Sequence, residues 1–252
     1  MKILFLDIET SPHLSFHWRR WQENIPARFT LEESRVICAA WKWQGQKTVS
    51  FAAEWQRGGA ERMFTKIYEA LSAADVVIGY NSKKFDIKKL NTEFIRLGWS
   101  PPAPFQQVDL LQQVKKNFSF SSNRLDDVLA DLQLNQKIET TGMELWIDVW
   151  SGDKAARTEM QEYNIGDVKV TEELYDWILG WITPHPNWGL YVDDRGADEP
   201  TCITCGSHNM RKHKKRPTKV GLFQQWHCQD CGAYHRGRKN LKTGGTKNGV
   251  LA

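Results

Sequence analysis

No window of eighteen apolar residues occurs in the sequence, so no segment has the length and character of a membrane-spanning helix. The N-terminal apolar run, Ile3 to Leu6, stops at Asp7 and is too short for the core of a signal peptide. The expectation is an intracellular, cytoplasmic chain, of bacterial or viral origin among other sources, with no membrane partner. Cysteine is almost missing from residues 1–200: Cys38 stands alone there, in the apolar stretch RVICAAW, and reads as a small buried hydrophobe. Acid is almost missing from residues 201–252, where Asp230 faces 11 Lys and Arg. Residues 1–200 hold 23 Lys and Arg against 29 Asp and Glu. The formal net charge of +4 thus conceals an acidic body and a strongly basic C-terminal region, which points that region toward a polyanion, most simply nucleic acid.

What is present is enough chain, 252 residues, for one sizeable core and a small appendage. KILFLDI reads as a buried central strand, LSFHWRRW as a second strand, and RVICAAWKWQGQKTVSF as two strands around a Gln-Gly turn. AERMFTKIYEALSAA repeats its apolar residues at helical spacing, and DVVIGY reads as a short buried strand. KKFDIKKLNTEFIRLGW follows as a helix with Leu90, Phe94 and Leu97 inward. PFQQVDLL reads as a further strand, and SNRLDDVLADLQL as a helix with a Ser/Asn cap. A last long helix is expected from about Lys154 to Trp181. The order predicts an α/β fold with one mixed sheet flanked by helices. Domain limits are expected at 1–182, with a linker over 183–200, a small basic domain over 201–240 and a flexible basic tail over 241–252.

Three stretches carry carboxylates where a solvated surface explains them poorly. Asp7 and Glu9 lie two apart on the buried strand and so project to one face; two adjacent carboxylates repel unless a cation or water lies between them. Asp86 opens the helix after DVVIGY, at the end of the sheet where strand-to-helix loops gather. Tyr163 and Asp167 are four apart on the last helix, on the stripe of Val170 and Leu174, and an acid on an inward stripe needs a partner such as a metal.

Asp7-Ile8-Glu9-Thr10, Asn81 with Phe85-Asp86, and Tyr163 with Asp167 occur in the order of the three exonuclease motifs of the DEDD superfamily. The tyrosine makes the set resemble the DEDDy branch, to which the proofreading domains of DNA polymerases belong. The resemblance covers about residues 1–181 and implies an RNase H-like fold that hydrolyses phosphodiesters from the 3′ end. It also implies two Mg²⁺ or Mn²⁺ ions, Asp7 bridging both, Glu9 and Asp167 on the ion beside the attacking water, and Asp86 supporting the other through water. Tyr163 would orient that water, since a phenol with a pKa near 10 is a poor base at neutral pH. Asn81 and Phe85 become candidates for the terminal nucleotide.

The remaining cysteines form two pairs, Cys202-Cys205 and Cys228-Cys231, with 22 residues between the pairs. Each pair precedes a glycine, which lets the backbone turn so that all four sulfurs can meet one ion. The unit resembles a zinc ribbon with one structural Zn²⁺; His227 and His235 are weaker alternatives to a cysteine ligand. Lys212, Lys214, Lys215 and Arg216, then Phe223 and Trp226, then Tyr234, Arg236 and Arg238 offer charge and rings for gripping and stacking nucleic acid. The reading is a metal-dependent 3′–5′ exonuclease, with single-stranded DNA favoured and RNA an alternative substrate, and with replication or repair proteins as compatible partners. Structure-specific endonuclease cutting and a non-catalytic nucleic-acid-binding module remain the rival functions.

Overall fold

The computed structural model describes residues 1–19, 21, 24–192, 200–219 and 221–242, so the expected tail lies almost wholly outside the described residues, as does most of the second half of the expected linker. The chain divides into two compact units, Lys2–Leu174 and Tyr175–Ala252.

The first unit is built on a five-stranded sheet. Its strands are β1 (Ile3–Thr10), β4 (Val36–Trp43), β5 (Ser50–Ala53), β6 (Val76–Gly79) and β7 (Gln106–Asp109), while β2 (Leu14–Ser15) and β3 (Thr30–Glu32) form a separate pair. The order is β5-β4-β1-β6-β7, antiparallel between β1, β4 and β5 and parallel between β1, β6 and β7. β1 is central and apolar because both its faces are covered. Leu4, Leu6 and Ile8 pack on one face with α1 (Gly59–Ala73) and α2 (Asp86–Arg96), through Ile67, Leu71, Leu90 and Phe94. Alternation along the strand sends Phe5, Asp7 and Glu9 to the other face. There Ile37, Cys38 and Ala53 pack with α5 (Met143–Ser151) and α6 (Lys154–Ile178). α3 (Leu110–Asn117) and α4 (Leu125–Asp131) complete the unit. Among the described residues no helix is long and apolar enough to cross a membrane.

Several local expectations change. Of the described residues of LSFHWRRW only Leu14 and Ser15 join a strand; Phe16, Trp18 and Trp21 are 69%, 95% and 89% exposed and cover no sheet face. Leu97, expected inward, is the C-cap of α2 and is 39% exposed. The PFQQVDLL strand ends at Asp109, whose carboxylate accepts from Gln112 N at 3.4 Å and starts α3, a helix the short apolar pattern had hidden. α4 begins at Leu125, and its N-cap is Arg124, with no side-chain cap, in place of the expected Ser/Asn cap. The long helix ends at Ile178 and tightens into a 3₁₀ turn, Leu179–Trp181.

The second unit holds the end of α6 and a three-stranded sheet, order β10-β9-β8, from β8 (Met210–Thr218), β9 (Gly221–Cys228) and β10 (Tyr234–Asn240). Tyr175 hydrogen-bonds His185 Nε2 at 2.8 Å, and Trp188 N donates to Ile203 O at 2.7 Å. Gly180 faces the second cysteine turn: a Cβ there would lie 2.3 Å from Cys231 O, a backbone clash that no rotamer change can relieve. Gly180→Ala is therefore expected to destabilise this unit selectively, read as earlier loss of its amide protection in hydrogen exchange while the amides of β1 and β6 are unchanged.

Candidate metal centre and cysteine cluster

The antiparallel pairing places Asp7 opposite Ala40 and Glu9 opposite Cys38, so small side chains on β4 leave room beside the two acids. α6 packs over this face and supplies Asp167. Ligand oxygens of Asp7, Glu9 and Asp167 lie within 4.8 Å of one another, close enough to hold a common metal ion. Asp167 Oδ1 is buried with no hydrogen-bond partner, and an unsatisfied buried polar atom is costly.

Asp86 arrives from the turn after β6 and is buried, but it lies outside that three-acid group. Its Oδ1 accepts from Ile8 N at 3.1 Å, the amide between Asp7 and Glu9. The preceding turn is held by Asp109, which accepts from Asn81 N at 3.0 Å and Lys83 N at 3.3 Å. These bonds offset the cost of Asn81 at φ 64°, in the left-handed region. Phe85 remains 38% exposed.

Two residues that no motif had marked complete the centre. Lys137 Nζ lies 2.6 Å from Asp167 Oδ2 and donates to Tyr163 OH at 2.9 Å. Asn164 Nδ2 donates to Asp7 Oδ2 at 2.7 Å. Gly166 permits the Lys137 segment to approach α6, since a Cβ there would press on Ile138 Cδ1 at 3.1 Å. Asn164 sits inside the Tyr163-to-Asp167 spacing and could have been read from it; Lys137 lies in an aperiodic stretch, NQKIETTG, with no local signal.

The electrostatics follow from this crowding. Burial, then the charges of Asp86, Glu9 and Asp167, pushes the Asp7 carboxyl well above its ordinary range, with Lys137 opposing. Burial, then Asp167, raises Glu9 from 4.5 to about 8. Burial raises Asp86 to about 7 and Asp167 to about 6, the latter against the pull of Lys137. Burial and then Asp167 raise Tyr163 to about 12, so its phenol stays protonated and can position a water but not deprotonate it. Burial disfavours the Lys137 ammonium, yet the Asp167 charge and the bonds to Asp167 and Tyr163 outweigh it and raise its pKa.

In the second unit the four thiols of Cys202, Cys205, Cys228 and Cys231 also lie within 4.8 Å of one another. Cys202 and Cys231 Sγ are 3.6 Å apart, as are Cys205 and Cys228 Sγ. That is far beyond a disulfide bond and close to the edge, about 3.8 Å, of a tetrahedron with metal–sulfur bonds of about 2.3 Å. Gly206 and Gly232, at φ 77° and 76°, return their N–H groups to Cys202 O and Cys228 O at 2.9 and 3.1 Å, closing each turn. His235 Nε2 lies 3.2 Å from Cys202 Sγ, beside the cluster and outside the four-sulfur group, and His227 stacks on Tyr234 with ring centroids 4.2 Å apart. Lys212, Lys214, Lys215, Arg216, Arg236 and Arg238 are exposed. Lys212 lies over Trp226 and Arg236 over Phe223, at 5.6 and 4.5 Å from the ring centroids, and Phe223 is only 8% exposed.

The family model of the RNase_H superfamily matches residues 31–179. The chain belongs to the RNase_H superfamily. Among solved structures, this RNase_H chain is similar to a family B DNA polymerase from the hyperthermophilic archaeon Pyrobaculum calidifontis, with a TM-score of 0.52 and 20% identity over 71% of the chain. The match spans 24% of that polymerase, and at this identity it shows the fold alone. No curated protein matches the sequence. The mixed sheet with helices on both faces is the RNase H-like fold expected from the motifs, and the four-cysteine unit is compatible with a zinc ribbon.

Raised carboxyl pKa values give a definite sign for stability. Below the unfolded values near 4 both states hold these protons; as pH rises through the folded values, up to about 8 for Glu9, the folded state alone resists ionisation and loses stability. Without added divalent cation the melting temperature should fall between about pH 5 and pH 8, and Mg²⁺ should raise it by several degrees more at pH 8 than at pH 6. Equal Mg²⁺ shifts at the two pH values, followed by scanning calorimetry, would contradict this account of the cluster.

Proposed function

We propose that the chain is a metal-dependent 3′–5′ exonuclease acting on single-stranded DNA. The observation that carries this reading is the convergence of Asp7, Glu9 and Asp167, with Asp86 behind them on Ile8 N and Tyr163 one helical turn from Asp167. Four hard carboxylates suit Mg²⁺ or Mn²⁺. Two such ions would supply an activated water and neutralise charge on the departing oxygen.

The chain's own groups have distinct tasks in this reading. Asp7, held by Asn164, would hold the cations together with Glu9 and Asp167, with Asp86 supporting them, and the cations would activate the attacking water. Tyr163 keeps its proton and orients that water by hydrogen bonding, and Lys137 fixes both Tyr163 and Asp167. Asn81 and Phe85 meet the terminal nucleotide. In the second unit one Zn²⁺ on four thiolates staples a ribbon whose Lys212, Lys214, Lys215, Arg216, Arg236 and Arg238 grip phosphates. Trp226 offers its partly exposed ring to a base there, and Phe223 supports Arg236 from beneath.

Strands of DNA or RNA labelled at either end, incubated with Mg²⁺ or Mn²⁺, test the activity. A ladder shortening from the 3′ end of DNA is expected, abolished by Asp7→Ala. Degradation of RNA alone would shift the substrate to RNA, internal cutting would make the chain an endonuclease, and binding without cleavage would leave a binding module.

Lys137→Ala should lower turnover by about 10–100-fold with little change in KM, because Lys137 touches the catalytic groups and not the strand. A purely structural role would instead lower the amount of folded protein and leave turnover per folded molecule unchanged.

Metal analysis of the purified chain should find one zinc per molecule. Cys202→Ser with Cys205→Ser should release it and weaken strand binding while the first unit stays folded. Unchanged binding affinity would remove the ribbon from substrate capture.

A further inference from the structure

Residues 1–200 are acidic on balance, yet five of their 23 Lys and Arg fall within residues 83–96: Lys83, Lys84, Lys88, Lys89 and Arg96. The acids of that stretch, Asp86 and Glu93, are both buried. Outside them runs a groove of about 250 Å³ lined by Ser34, Lys84, Phe85, Lys88, Lys89 and Arg96, with Glu93 on its wall. Glu93 is engaged by Arg96 at 3.2 Å, and Lys89 Nζ reaches Ser34 Oγ at 3.4 Å. Among the described residues no acid forms an ion pair with Lys84, Lys88 or Lys89.

This placement runs against local preference. Lys88 and Lys89 lie in the first turn of α2, where the helix dipole disfavours cations. Asp86 in the same turn suits this helix end, but among the described residues no ion pair neutralises Lys84, Lys88 or Lys89, which leaves their charge open to an anion from solution. From Lys88 to Arg96 the helix rises about 12 Å, longer than a single phosphate group. The ring of Phe85 joins the cations, with Lys89 Nζ 5.9 Å from its centroid, and an aromatic face beside a row of cations is the composition that holds a nucleotide strand. The next residue along the chain is Asp86, bonded to the amide between Asp7 and Glu9. The groove therefore starts one residue from the candidate metal centre.

We propose that this groove is a track for the backbone of a single nucleic-acid strand, running from the terminal nucleotide beside Phe85 to the nucleotides that precede it along Lys84, Lys88, Lys89 and Arg96. It rests on the nuclease reading for its orientation and on charge and geometry alone for its ligand. It is a second grip on the strand, separate from the basic strands of the ribbon unit.

The test uses single-stranded DNA about ten nucleotides long, within the span of one strand-binding domain, carrying 5-iododeoxyuridine. The full-length protein is irradiated with it in buffer without added Mg²⁺ or Mn²⁺, so that no hydrolysis is required, and the adducts are mapped by mass spectrometry. An adduct on the peptide containing Phe85 is expected. Its yield should fall about tenfold in the Lys84→Glu, Lys88→Glu variant, and the salt slope of binding should drop by about 1.4, about 0.7 for each phosphate that is no longer neutralised. Adducts confined to residues 210–240, no adduct at all, or an α2 adduct and salt slope indifferent to the two substitutions would each overturn the track. A protein that gives the α2 adduct but never shortens a strand with Mg²⁺ keeps the track and loses the nuclease reading, so the two ideas fail separately.

Discussion

Burying several carboxylates at one point is the constraint on which the first unit depends. Each would lose its hydration and repel the others, and raised proton affinity is the direct expression of that cost. The fold brings hydrogen-bond donors to the acids accordingly. Lys137 is brought from an aperiodic segment to Asp167, Asn164 donates to Asp7, and the Ile8 amide turns to Asp86. None of these removes the cost altogether: Asp167 Oδ1 remains without a partner. The group is thus left able to accept a cation.

The same constraint explains which parts of the fold were legible in the sequence. Asp7, Glu9, Asp86, Tyr163 and Asp167 stood out because each interrupts or lines an apolar pattern, and a charge in an apolar pattern is visible without coordinates. The sheet strands β1, β4, β5 and β6 were legible for a related reason, their apolar runs being covered on one or both faces. Lys137 was not, because its neighbours have no period and its role is created by an ion pair with Asp167, far along the chain. α3 stayed hidden behind a four-residue strand whose last residue is also the helix cap. Phe16, Trp18 and Trp21 misled in the opposite direction: aromatic, with the first two in alternation, they have strand propensity but no sheet to join, and propensity without a partner surface does not make a strand.

Charge is partitioned within the chain along the same lines. Asp7, Glu9 and Asp167 cluster where a cation could neutralise them. Lys88 of α2 and Lys212, Lys214 and Lys215 of β8 are exposed and, among the described residues, form no ion pair, so their long side chains keep their hydration and counterions. A body acidic by count is therefore compatible with a nucleic-acid ligand, because what the ligand meets is the local field and not the net charge.

The two candidate metal sites also separate their ions by chemistry. Thiolates are soft donors, and four of them at tetrahedral spacing close the coordination shell, which leaves no position for a water or a phosphate. Carboxylates are hard donors, and the acid group retains an unpartnered oxygen and a proton-holding phenol at its edge. Mg²⁺ and Mn²⁺ have little affinity for the first set and suit the oxygen donors of the second. Occupied in this way, the sulfur site would hold structure without reacting and the oxygen site would react without being needed to hold the sheet together, since β1 is anchored by its apolar residues on both sides. The folding of each unit and the chemistry of the acids can then respond to different ions in the same solution.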